Sequence, residues 1–347
     1  MPTSRDAASQ IVFSVRSWNG AYSSTDVAHG VAVSAHTDAL LLVNADGSGL
    51  REVKPGVKDP YAPAFSADGQ WIYFQSLDGG DKCNLYRCRP DGMGVQNLTG
   101  RHQLGRESFG FTLSREGKRV AYVSNNGEIG RVAIMDADGT NERIVAPDLG
   151  YHYMASFSPD SKRMVFSHTA DGYRLKLMDL QGKGVVDLTP DAPECFCGQF
   201  TPDGRWLVFF RRDSEIYRVC DDGTGFEKLT AGSGHDHFRL TKDDAHGSSD
   251  PPDVSPDGAQ IAHCGLVVGV SQVFVMSLDG RNRRQLTALP GDCGRVKWSP
   301  DGKRIAFASF VDERPQLFAI DANGGAAKQL TDLKGAVYFL NWTGARA

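Results

Sequence analysis

Six apolar runs recur along the chain, WIYFQS, RVAYVS, RMVFSH, WLVFFR, QIAHCG and RIAFAS, and each is entered through a short polar turn. Runs of this kind predict strands covered on both faces. The turns read FSADG, LSREG, FSPDS, FTPDG, VSPDG and WSPDG, ending at Gly69, Gly117, Ser161, Gly204, Gly258 and Gly302. A second polar punctuation joins two further strands in each unit: Asp46, Asp91, Asp138, Gln181, Asp222, Asp279 and Asn323 each precede a glycine. It occurs seven times, the first signature six. The missing copy is divided between the ends, since Trp342 lies 44 residues after Trp298 and the strand IVFSV at Ile11 has no such turn before it. Ends that share one sheet close a ring and remove free strand edges.

A period of about 40 to 45 residues with four strands per unit is the arithmetic of a β-propeller. The expected fold is all-β: seven four-stranded antiparallel blades, closed by the C-terminal strand pairing in the N-terminal blade. One domain spans residues 1–347, with residues 1–10 as a flexible tail. A single blade buries too little to stand alone, so the ring supplies the core. These motifs resemble the TolB-type propeller repeat, in which S-P-D-G lies between the first and second strands and D-G between the third and fourth. That resemblance implies the fold and leaves the function open, because one scaffold carries many activities.

Composition narrows the class. With 40% hydrophobic and 23% charged residues, the chain is neither disordered nor fibrous. A formal charge of −4 argues against nucleic acid as a partner, because counterion-driven binding needs a concentrated basic face. No apolar stretch approaches the ~20 residues that cross a bilayer, so a membrane partner is not expected. The opening MPTSRDAASQ lacks the apolar core of a secretory leader, and the expected location is cytoplasmic. Seven scattered cysteines, an odd number, fit free thiols in a reducing compartment.

The tight turns share one rim of such a ring, here the lower one. Connections from strand two to three, and from blade to blade, share the upper rim. From each D-G turn to the next S-P-D-G position the distance is 22 residues in four cases and 25 in one, but 35 between Asp222 and Asp257. A second excess falls near residues 17–36. Both insertions belong to the upper rim, and long irregular loops on a rigid scaffold commonly carry function. His102, His152, His235, His237 and His246 fall in blade-to-blade segments, with His29 and His168 in or beside upper loops.

The larger insertion, GHDHFRLTKDDAHGSSDPPD, concentrates the candidate chemistry. His235, His237 and His246 are the residue types that hold manganese or zinc, and that metal is the expected cofactor. The plainer reading is a polar loop whose aspartates cap turns. HGSSD sets His246, Ser248, Ser249 and Asp250 together, but no G-x-S-x-G elbow supports a serine hydrolase. In YHYM, Tyr151 and Tyr153 suit sugar faces, and His152 is a candidate acid or base; the same residues equally plug a channel. Arg106, Arg239 and Arg295 occupy equivalent upper connections, where a guanidinium binds a carboxylate or bridges blades. Glu194 precedes Cys195 and Cys197, whose C-x-C spacing fits packing more readily than metal.

Histidine placement in a seven-bladed ring of TolB-like repeats resembles the oligogalacturonate lyases, and the resemblance implies a metal held by histidines on the upper face. The expected function is accordingly a lyase that cleaves short acidic, uronate-containing oligosaccharides by β-elimination. His152 or His246 is the base, Asp250 and Arg106 complete the catalytic set, and Tyr151, Tyr153, Arg239, Arg295 and Glu194 bind substrate. Glycoside hydrolysis would instead need two opposed carboxylates, for which Glu107, Glu194 and Asp250 are available. The competing class is a non-catalytic propeller that binds a protein or ligand on the same face.

Overall fold

Turn chemistry that repeats every four strands folds the chain into seven four-stranded antiparallel sheets and one two-stranded hairpin among the described residues. The structure is a computed structural model, and it describes residues 9–18, 36–77, 83–100, 107–125, 129–169, 172–232, 237–238 and 248–344. Outward from the channel, blade 1 runs Ala336–Trp342, Gln10–Trp18, His36–Asn44 and Arg51–Val53, so its innermost strand comes from the C-terminal end. The innermost strands of blades 2 to 7 are Tyr61–Phe65, Glu107–Leu113, His152–Phe157, Cys195–Phe200, Asp253–Val254 and Cys293–Trp298. The first strand already begins at Gln10, inside the segment expected to be a tail. No helix among the described residues is long and apolar enough to cross a membrane.

The S-P-D-G turn is a closed hydrogen-bond unit. In blade 2, Trp71 N–H donates to Ser66 Oγ at 2.9 Å, Ser66 O–H donates to Asp68 Oδ1 at 2.6 Å, and Gln70 N–H donates to the same oxygen at 3.0 Å. The pattern repeats at Ser158 with Asp160, Thr201 with Asp203, Ser255 with Asp257 and Ser299 with Asp301. The seventh copy exists without a covalent turn. Gln10 N–H donates to Thr343 Oγ1 at 2.8 Å and Thr343 N–H returns to Gln10 O at 2.8 Å, so the seam between the two ends reproduces the repeat's own bonds. The D-G turns pack against the preceding blade: a Cβ at Gly92, whose φ is +87°, would stand 2.7 Å from Lys54 O. Only glycine fits both the conformation and the approach.

Apolar residues gather at the contacts between blades rather than in one centre. Seven clusters form, one at each interface. The one across the seam joins Ile11, Phe13 and Leu340 to Ala306 and Leu317. The thinnest, Val208, Ile216, Val254, Ile261 and Met276, lies between blades 5 and 6, where the large insertion enters. All seven cysteines are free, and five of them are buried.

Candidate functional site: two ends of one channel

The innermost strands set the channel lining. Six of them break register at a bulge. In five, a residue four positions before the signature's Ser or Thr takes a left-handed conformation: Ala62, Gly110, Met154, Cys197 and Arg295, at φ 49°, 61°, 55°, 56° and 61°. A bulge re-aims the chain and costs a non-glycine residue ~1–2 kcal/mol at such φ. Side chains at this level meet across blades, Cys197 Sγ lying 3.4 Å from Met154 Sδ and the Arg295 guanidinium 4.6 Å from the Phe339 ring centroid. Two residues further along each strand, a second level contains Ala64, Thr112, Ser156, Gln199, Asp253, Lys297 and Asn341.

The upper level is closed around one charged pair. Arg295 is only 8% exposed and Asp250 6%. Asp250 Oδ1 accepts the Arg295 amide at 2.7 Å, and burial pulls the Arg295 pKa down while the Asp250 charge opposes that shift. Nearby, Arg16 and Asp38 form a buried two-bonded pair at 2.8 and 2.6 Å, with the Arg16 guanidinium 4.9 Å from the Tyr338 ring centroid. The insertion contributes a short hairpin, His237–Phe238 paired with Ser248–Ser249, immediately before Asp250.

The lower level is open. A cavity of about 450 Å³ lies there, walled by Phe65, Phe157, Phe200 and Trp298 and by the polar second level. Side chains of this level stitch neighbouring blades: Asn341 Oδ1 accepts Phe65 N–H at 3.2 Å, Gln199 Oε1 accepts Val254 N–H at 3.3 Å, and Asp253 Oδ2 accepts Trp298 N–H at 2.8 Å. Lys297 Nζ stands 3.5 Å from Asp253 Oδ1; its side chain is 30% exposed, the carboxylate 0%.

Two residues singled out in the sequence, His152 and Arg295, lie elsewhere than expected. His152 is fully buried between blades 3 and 4, its ring 5.3 Å from that of Phe166. Its Nδ1 accepts Val132 N–H at 2.8 Å, and burial pushes its pKa down to about 4, so the ring is a neutral acceptor within the wall rather than a group at the mouth. Tyr151 is half-buried and packs so closely that a Cβ at Gly130 would stand 2.9 Å from its Cε2. Tyr153 shares the strand, paired with Ser167. Arg295 belongs to an innermost strand, not to a connection. Glu194, at φ 67°, pairs with Arg212 at 2.6 Å. Cys195 packs in the blade 4–5 cluster, and burial pushes both its thiol and that of Cys197 up to about 12.

His235, His246, Arg106 and Arg239 lie outside the described residues; of His237 only the backbone is described. Among the described residues no three His, Cys, Asp or Glu side chains converge to hold a metal, and the Asp250 carboxylate is already engaged by Arg295. Sequence reading passed over Lys297, Asp253, Asn341 and Arg115. Counting two positions back from the S-P-D-G serines aligns Lys297 and Asp253, and the same count from Thr343 at the seam adds Asn341.

Fold and channel together define the class, a seven-bladed β-propeller of four-stranded antiparallel blades. Residues 237–343, which hold the last two blades and the closing strand, match the TolB beta propeller domain family. No curated protein matches the chain by sequence. Among solved structures the chain is similar to TolB from Acinetobacter baumannii, at 16% identity and TM-score 0.57 over 98% of this chain and 67% of that one. It is similar to an oligogalacturonate lyase in complex with manganese, at 18% identity and TM-score 0.60 over 77% of this chain and 75% of that one. Oligogalacturonate lyase from Vibrio parahaemolyticus aligns at 12% identity and TM-score 0.60, covering 91% and 94%. At these identities the likeness establishes the fold.

Proposed function

We propose that the protein binds a short acidic oligosaccharide at the insertion-bearing mouth and cleaves it by β-elimination. One observation carries the reading: the insertion with three histidines is rooted on the channel by the buried contact between Asp250 and Arg295, which holds a short hairpin at its base. The fold likeness to two oligogalacturonate lyases supports it. With His152 engaged inside the wall, the base falls to His246. It removes the proton on the carbon beside the uronate carboxylate; that C–H pair forms a carbon–carbon double bond, and the glycosidic oxygen on the next carbon leaves and takes up a proton. Arg106 and Arg239 neutralise the carboxylate as the carbanion-like charge develops. Arg295 and Asp250 support the insertion from beneath.

Manganese or zinc is the metal this reading implies, with His235, His237 and His246 as the chemically suitable donors. The described residues supply no donor set for it, and no step above depends on it. Bound there, a divalent ion would polarise the substrate carboxylate. The test combines metal analysis of purified protein with an ultraviolet assay for new conjugated double bonds on uronate oligosaccharides. Absence of both metal and product after metal supplementation overturns the reading. A binding propeller without catalysis is the second reading, favoured by the open cavity at the opposite end.

A further inference from the structure

We propose that the groove between blades 6 and 7 on the lower rim is a binding slot for a guanidinium group, borne by an arginine side chain of a partner or by a small alkylguanidine. The proposal does not rest on the lyase reading. The groove holds a cavity of about 350 Å³, set between the signature turns of the two blades and the D-G turn of blade 7. That volume lies in the ~300–1,000 Å³ range of small-molecule sites.

The other blades show what such a groove takes. Five positions after the signature's Ser or Thr, five blades carry a large side chain: Trp71, Arg119, Arg163, Trp206 and Arg304. The three arginines reach into the next blade. Arg119 donates to Ser161 O at 3.2 Å, Arg163 to Asp221 Oδ2 at 2.7 Å and Arg304 to Ala45 O at 3.1 Å. At the seam the position falls to Gln10, whose amide donates to Asn44 Oδ1 at 2.9 Å. Blade 6 has Gln260 there, and its Oε1 is buried with no hydrogen-bond partner among the described residues. Gly302, the counterpart of Ser161, and Ala322, the counterpart of Asp221 and Ala45, line the cavity beside it. The space that a guanidinium fills in three other interfaces is therefore left open in this one, facing an unsatisfied acceptor.

Charge agrees with shape. Asp257 and Asp321 line the cavity, and each has one oxygen engaged within its own turn: Asp257 Oδ1 accepts Ser255 O–H and Ala259 N–H, and Asp321 Oδ1 accepts Asn323 N–H. Their Oδ2 atoms make no bond among the described residues. Where the repeat supplies its own arginine, the signature carboxylate faces it, Glu116 lying 3.6 Å from Arg119. At Asp257 the Ser255 hydrogen bond and the Ala259 amide hold the carboxyl below its ordinary value, and no cation contributes. Lys303 also lines the groove, but its counterparts Lys162 and Arg205 stand in the interfaces that already hold Arg119 and Arg163. A cation at that position is thus compatible with a guanidinium in the slot. A planar fork of N–H donors suits one amide oxygen flanked by two carboxylates.

The test is calorimetric titration of the full chain with N-acetyl-L-argininamide and n-propylguanidine, and with N-acetyl-L-citrullinamide as the neutral isostere. Both guanidinium probes are expected to bind, and the citrulline compound at least about tenfold more weakly. Tighter binding of the argininamide than of propylguanidine assigns the slot to a protein's arginine; equal or weaker binding assigns it to a small molecule. Gln260→Arg supplies the repeat's own guanidinium and should weaken both probes at least about tenfold while raising the melting temperature. Asp257→Asn keeps the acceptor for Ser255 and Ala259 but removes the charge, and should weaken them about fivefold. Asp301→Asn, the same change beside Arg304, should leave affinity unaltered. Equal binding of the citrulline compound, unaltered affinity in Gln260→Arg or Asp257→Asn, or an equal loss in Asp301→Asn would each overturn the proposal.

Discussion

Blades 6 and 7 meet twice through the same device, with opposite consequences. At the upper level Asp250 accepts the amide of Arg295; at the lower level, three residues on in both strands, Asp253 accepts the amide of Trp298, beside Lys297. In each case an aspartate fastens its blade to the next while a cation stands alongside. Above, the cation is sealed in with its partner and a phenyl ring; below, its side chain keeps nearly a third of its surface in an open cavity. Burial makes the first cation structural and exposure makes the second available. The same sequence spacing therefore yields an anchor at one end and a presented charge at the other.

The largest expected effect breaks the upper anchor. Asp250→Ala leaves a buried guanidinium without its nearby anion and an amide without its acceptor, and should cost about 3–5 kcal/mol. Urea denaturation should show it as a lowered midpoint with an unaltered slope. Lys297→Met at the lower end should cost about 1 kcal/mol, because Asp253 retains its bonds to Trp298 and Gln199. Equal losses at the two ends would mean that burial does not distinguish them.

Acid separates the two rims by pH window. His152, near the upper rim, titrates at about 4 in the fold against 6.5 when unfolded. The unfolded chain therefore takes up the proton first, and the contribution present above pH 6.5 is lost as the pH falls toward 4, on the order of 3 kcal/mol. On the lower rim the serine hydrogen bonds hold the carboxyls of Asp68, Asp160 and Asp257 below their ordinary values. Their contribution is intact above the unfolded carboxylate range and disappears only as the pH falls through the depressed folded values. Chemical denaturation at a series of pH values should show the first loss vanish in His152→Asn and the second remain. A loss confined below pH 4 in the unaltered protein would contradict the His152 assignment.

A smaller effect concerns the seam. Thr343→Val removes the acceptor for the Gln10 amide and should cost about 1–2 kcal/mol. The same change at Thr201, within a covalent turn, removes the equivalent bond from Trp206 and also the hydroxyl donor to Asp203. The seam variant should unfold faster because its two strands can part, whereas the Thr201 variant keeps them tethered. Stopped-flow unfolding would compare the two.

Blade number, ring closure and the insertions were legible because they rest on local chemistry: Asp–Gly and Ser–Pro–Asp–Gly turns have few residue solutions and recur at fixed spacing. Trp342 revealed the seam by its distance from Trp298. Channel-facing positions were much less visible. The bulge residues Ala62, Met154, Cys197 and Arg295 share no side-chain property, so nothing in their identities announces a common backbone conformation. His152 misled for a related reason. It is next to the polar connection in sequence, yet the strand turns its ring toward Val132 and Phe166 and gives the channel to Met154. The lower cavity leaves little mark on the sequence, because its lining comes from single residues inside regular strands rather than from a long loop.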